Sequence, residues 1–186
     1  MVEDRPRENE NATHSFGWIV ILLYPAWLAM MAVHESGHVI AACLTGAKVT
    51  QVSIPFLGFS RTDVIHNSHP AFVAWGGPVG GCLIPLLLWL IARLIWRPLA
   101  SFAQFFAGFC LIINGLYLGV GWIDRAGDAG DLLRHGMTVA ALIAFGIAAM
   151  SLGLYLWHRM GTATVKRPGP SICRQSSQSR GDSASL

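Results

Sequence analysis

Four stretches of this chain are almost purely apolar, at about 16–44, 71–96, 102–122 and 137–157. Each reaches the roughly 20 residues that a helix needs to cross a bilayer. The pattern therefore predicts an all-α polytopic membrane protein with about four transmembrane helices. The first stretch is longer than a bilayer requires, so Pro25 kinks it or its last turns emerge into a polar space. Between the first two stretches, residues 47–68 break the helical pattern. Val49-Thr50-Gln51-Val52-Ser53-Ile54 is β-branched with partial alternation, which reads as a short β segment as readily as a connecting loop. Three regions result: a polar N-terminal segment 1–15, a transmembrane domain 16–158, and a tail 159–186. The tail is rich in Ser, Arg, Gly and Pro and reads as disordered.

Composition strengthens this picture. The chain is 53% hydrophobic and only 12% charged, where a soluble domain carries about twice that charged fraction. A net charge of +3, dispersed along 186 residues, gives no nucleic-acid footprint. The first apolar run is too long for a signal-peptide core and reads as a retained span. Cys43, Cys82 and Cys110 sit in separate apolar segments and Cys173 in the polar tail. No C-x-x-C occurs, so neither a disulfide scaffold nor a zinc ribbon is supported. The sequon at Asn11-Ala12-Thr13 carries no weight.

The candidate chemistry lies inside the first apolar run, at His34-Glu35-Ser36-Gly37-His38. Residues four apart share a helix face, so His34 and His38 can hold one metal ion, with Glu35 beside them as a proton acceptor. A charged side chain at the centre of a spanning helix costs about 2.5–3.5 kcal/mol on insertion scales. Three ionisable residues within a turn thus need a reason, and a bound metal is the simplest. Chain parity brings the end of the third span to the same membrane side. There lies Asp124-Arg125-Ala126-Gly127-Asp128-Ala129-Gly130-Asp131, with three carboxylates available as a third ligand. Asp128 is the choice among them, because Ala129-Gly130 lets the backbone come close and a helical run from Asp131 to His135 follows. Asp124 and Asp131 remain alternatives. The glycines of Trp75-Gly76-Gly77-Pro78-Val79-Gly80-Gly81 allow close helix approach at the start of the second span. His66 and His69 lie before that span, while His14, His135 and His158 read as interfacial.

His34, Glu35 and His38, the Gly-Pro step at Gly77-Pro78, Asn114, and Asp128-Ala129-Gly130-Asp131-Leu132-Leu133 together resemble the site-2 protease family of intramembrane zinc metalloproteases. The resemblance covers about 33–133. Two departures stand out: Leu116-Tyr117-Leu118-Gly119-Val120-Gly121 replaces a proline-rich segment, and no L-D-G occurs. The resemblance implies Zn2+ held by His34, His38 and Asp128, with Glu35 as catalytic base; a further donor, Asn114 or a loop histidine, is expected to contact the substrate or its oxyanion. The resemblance also implies a membrane-protein substrate in the lipid bilayer, no nucleic acid, and the plasma membrane of a bacterium. The strand-like stretch 49–54 can offer an edge to an extended substrate. The alternative function is a non-catalytic zinc-binding membrane protein, sensor or structural, using the same ligands.

Orientation brings two arguments into conflict. Arg5, Arg7, Arg93, Arg97, Arg159, Lys166, Arg167, Arg174 and Arg180 share one side with the termini, against Lys48, Arg61, Arg125 and Arg134 on the other. The positive-inside rule then predicts cytoplasmic termini and outer zinc-proximal loops. The family resemblance implies the reverse.

Overall fold

The computed structural model describes the backbone of residues 7–165 and the side chains of residues 23–160. In chain order the elements are α1 (Arg7–Leu44), β1 (Lys48–Ser53), β2 (Arg61–Ile65), α2 (Pro70–Ile95), α3 (Arg97–Gly121), α4 (Gly127–Arg134) and α5 (Val139–Val165). Among the described residues, four helical stretches are long and apolar enough to cross a membrane: Leu23–Leu44, Pro70–Ile95, Arg97–Gly121 and Val139–Met160. They agree with the four apolar runs of the sequence, shifted by a few residues. α3 starts five residues before 102 because Trp96 is extended and Pro98 suits a first helical turn. α1 begins at Arg7, so the polar segment drawn as 1–15 overlaps its helix, and the helix runs through Pro25 without interruption. The tail beyond 165, with Cys173, lies outside the described residues, as do the side chains of Asn11 and His14.

α1 packs on α2, α2 on α3, and α3 on α5, while α1 meets α3 through longer side chains, with Met30 and Met31 against Phe109 and Cys110. Lipid offers no hydrophobic drive between helices, so close approach of small residues has to supply the packing. At the α1–α2 crossing, a Cβ on Gly80 would lie 2.6 Å from the Gly37 Cα, and one on Gly76 would lie 2.7 Å from the Gly37 carbonyl oxygen. Gly37 is the fourth residue of the H-E-x-x-H pentapeptide, so the tightest contact of the two helices falls on the motif itself.

Two short elements complete the frame. β1 and β2 pair antiparallel, with Val49 opposite Val64, Val52 opposite Thr62, and a bulge between Val49 and Gln51. The ambiguous stretch is therefore a hairpin. A lone hairpin is marginal in water, and this one leans on α1: Val49 and Val64 pack on Ala41, Ala42, Ala47 and Val73. Its apolar tip is tied down where the Tyr24 hydroxyl donates to the Phe56 carbonyl, 2.9 Å. α4 differs from the expected run at 131–135. It starts at Gly127 and holds Asp128 in its first turn, because Ala129 and Leu132, three apart, are both fully buried against Ala74, Leu118 and Leu142.

Candidate metal centre

The periodicity of α1 sets His34, Glu35 and His38 on its buried face; they are only 8%, 2% and 8% exposed. α2 shapes the space they occupy. A Cβ on Gly77 would come within 2.6 Å of His34 Nε2 and closer still to His38 Nε2, so only glycine leaves room for both rings.

Hydrogen bonds fix the tautomer of each ring. Asn114 Nδ2 donates to the Cys110 carbonyl, 2.9 Å, and a carbonyl can only accept. The Asn114 Oδ1 therefore faces His34 Nδ1, 2.6 Å away, and that nitrogen carries the proton. His38 Nδ1 likewise donates to the Val73 carbonyl, 2.8 Å. Both Nε2 atoms are thus left with lone pairs, and they face each other at 3.2 Å.

Asp128 comes in from α4. Its Oδ2 lies 2.9 Å from His34 Nε2 and its Oδ1 3.2 Å from His38 Nε2. Its carboxyl sits outside the spanning helices. Burial pushes its pKa up, but hydrogen bonds and charge from His34 and His38, when those rings carry a second proton at Nε2, outweigh that and hold it at about 2. Two imidazole lone pairs and a carboxylate pointed at one another repel unless protons or a cation stand between them. Ligand atoms of the three residues lie within 4.8 Å of one another, and two neutral histidines with one carboxylate form a donor set of the catalytic-zinc type. The residues therefore fit a metal ion.

Of the other candidates, Asp131 pairs with Arg134 and Asp124 is exposed, so neither joins the cluster. His66, His69 and His158 are exposed. His135 lines the cavity over the site without joining the three converging residues. Asn114, expected as a substrate or oxyanion contact, is 1% exposed; its Oδ1 accepts from His34 and its Nδ2 donates to the Cys110 carbonyl. No sequence signal pointed to Thr62 of β2, whose hydroxyl donates to Glu35 Oε2, nor to Tyr117, whose hydroxyl accepts from the Asp128 N–H at 3.3 Å. Glu35 and the three converging residues open on a polar cavity of about 310 Å³ that also meets Thr62, Tyr117 and His135. A second cavity of about 220 Å³, lined by Trp27, Met30, Met31, Phe59 and Ile113, adjoins it at His34, Ser60 and Tyr117.

Four spanning helices make this an integral multi-pass membrane protein, and a buried H-E-x-x-H helix meeting an aspartate is the arrangement of a metallopeptidase. Residues 12–157 match the family described as Peptidase M50B-like, and the chain belongs to that family, which is of the site-2 protease type. Proteases of this type are in general zinc-dependent. No curated protein and no solved structure matches the chain.

Proposed function

We propose that this protein is an intramembrane zinc metalloendopeptidase that hydrolyses peptide bonds of membrane-associated proteins, in the plasma membrane of a bacterium. The observation that carries the reading is the convergence of His34 Nε2, His38 Nε2 and the Asp128 carboxylate beside the buried Glu35. In this reading His34, His38 and Asp128 hold the zinc. Bound there, zinc supplies a Lewis acid that acidifies a water and polarises a carbonyl oxygen. Glu35 accepts a proton at its carboxylate as the water attacks the scissile carbon, and returns it to the leaving amine nitrogen. Thr62 holds that carboxylate by donating to Oε2, and it leaves Oε1 for the proton. Asn114 and the Val73 carbonyl keep the two imidazoles in the tautomer and orientation that offer Nε2.

A non-catalytic zinc protein would close the site with a fourth protein ligand. Asp131, which lines the same cavity, is engaged with Arg134 instead, which favours the enzyme. The test is cleavage of a transmembrane peptide by the purified, zinc-loaded chain, with Glu35→Gln alongside. The amide keeps the shape but cannot take the proton, so turnover should vanish while zinc stays bound. Turnover of Glu35→Gln within a few-fold of the parent would remove the base from the mechanism.

A further inference from the structure

We propose that Tyr117 is the donor that stabilises the oxyanion of the scissile carbonyl, the role expected of Asn114 from the sequence. The inference rests on the proteolytic reading above and deepens it. Hydrolysis needs a donor aimed at the carbonyl oxygen as it takes on charge, and such a donor is worth about 10²–10³ in kcat. Asn114 is poorly placed for it: it is 1% exposed, its Oδ1 accepts from His34, and its Nδ2 already donates to the Cys110 carbonyl. Tyr117 lies three residues further along α3, about one turn away. Its ring stands edge-on to that of His34, with centroids 5.8 Å apart, and stacks on Phe59 at 6.4 Å. Two ring contacts fix the phenol against the proposed zinc ligand.

Hydrogen-bond accounting supplies the rest. The Tyr117 oxygen accepts from the Asp128 N–H, and among the described residues no acceptor takes its own proton. That proton is free to donate, and the residue lines both cavities where they meet. The approach is made possible by Gly127, where a Cβ would overlap the hydroxyl, at a φ of +55° that itself favours glycine. Thr62 already donates to Glu35, and Ser60, which also lines both cavities, makes no hydrogen bond or ring contact to a proposed ligand among the described residues. In the step itself, the water oxygen bonds to the carbonyl carbon and its proton goes to Glu35. The carbonyl oxygen gains charge while accepting from the Tyr117 O–H. The C–N bond then breaks and the amine takes the proton from Glu35.

The experiment compares the zinc-loaded full chain in detergent with Tyr117→Phe and Ser60→Ala. Three readouts are used: zinc content, kcat and KM on a transmembrane peptide, and affinity for a phosphinic peptide, a tetrahedral anion. Tyr117→Phe should keep its zinc and a KM within three-fold, lose about 100-fold or more in kcat, and bind the phosphinic peptide at least 10-fold more weakly. Ser60→Ala should match the parent within three-fold. A Tyr117→Phe that binds the phosphinic peptide like the parent overturns the proposal. So does one that loses zinc along with activity, which would leave Tyr117 only the task of holding Asp128. A loss carried by Ser60→Ala instead overturns it too. If the parent binds the phosphinic peptide but cleaves nothing, the proteolytic reading fails while the ratio of affinities still decides Tyr117.

Discussion

Gly77→Ala should empty the proposed metal centre without touching a ligand. The added methyl would sit 2.6 Å from His34 Nε2, and nearer to His38 Nε2. An ordinary carbon–nitrogen contact needs about 3.4 Å or more, so each ring tip must retreat by roughly 0.8 Å at the least. The rings cannot swing freely, because Asn114 and the Val73 carbonyl hold their Nδ1 atoms at 2.6 and 2.8 Å. Metal–nitrogen distances tolerate only about 0.2 Å. Both histidines are therefore pushed out of register at once, and zinc affinity should fall by at least about 100-fold, or roughly 2.7 kcal/mol. The helix itself should survive, since alanine is favoured over glycine in a helix interior by about 0.5–1 kcal/mol. Equilibrium dialysis against a competing chelator would measure the zinc affinity, and circular dichroism in detergent would check the helices. A Gly77→Ala protein with parental helicity and parental zinc affinity would refute the reasoning, because the imidazoles could then not lie against that glycine.

Three further outcomes follow from the same geometry. Asn114→Ala leaves His34 Nδ1 unpaired and should weaken zinc about 10–100-fold, as measured by chelator competition; an affinity within two-fold would mean that the contact orients nothing. Asp128→Ala should cost zinc and activity while Asp124→Ala and Asp131→Ala stay within a few-fold; in the zinc-free chain the depressed Asp128 carboxyl contributes stability above the usual carboxylate range, lost as pH falls toward about 2, so the gap in melting temperature between parent and Asp128→Ala should shrink below pH 4, and a gap that widens there would contradict the assigned charge. Reporter fusions at residue 186 and within 55–65 should read cytoplasmic and outer respectively, by the excess of arginine on the side of the termini, and a cytoplasmic signal from the loop fusion reverses the orientation.

The local and periodic features of this protein are legible in its sequence. Apolar length alone defines four spans, because each backbone polar group in lipid must be satisfied within its own helix. The 3.6-residue repeat puts His34 and His38 on one face whatever surrounds them, and chain parity brings the aspartate loop to their side. The rest is set by packing between distant elements. Asp128 reaches His34 across 94 positions and Asn114 reaches it across 80. Which aspartate arrives depends on Ala129 and Leu132 anchoring α4, which turns Asp128 to the cluster and leaves Asp131 to Arg134. Asn114 was legible as a polar residue in an apolar span, but its partners were not, since an amide buried in a bundle is committed by whichever groups the neighbouring helices present. Thr62 and Tyr117 carry no motif of their own, and Gly77, legible as part of a glycine-rich helix start, gave no sign of the two imidazoles it faces. Their parts follow from the hairpin leaning on α1, from α2 closing over the imidazoles, and from the turn at Gly127, and spacing along a chain cannot encode contacts that exist only once separate elements pack together.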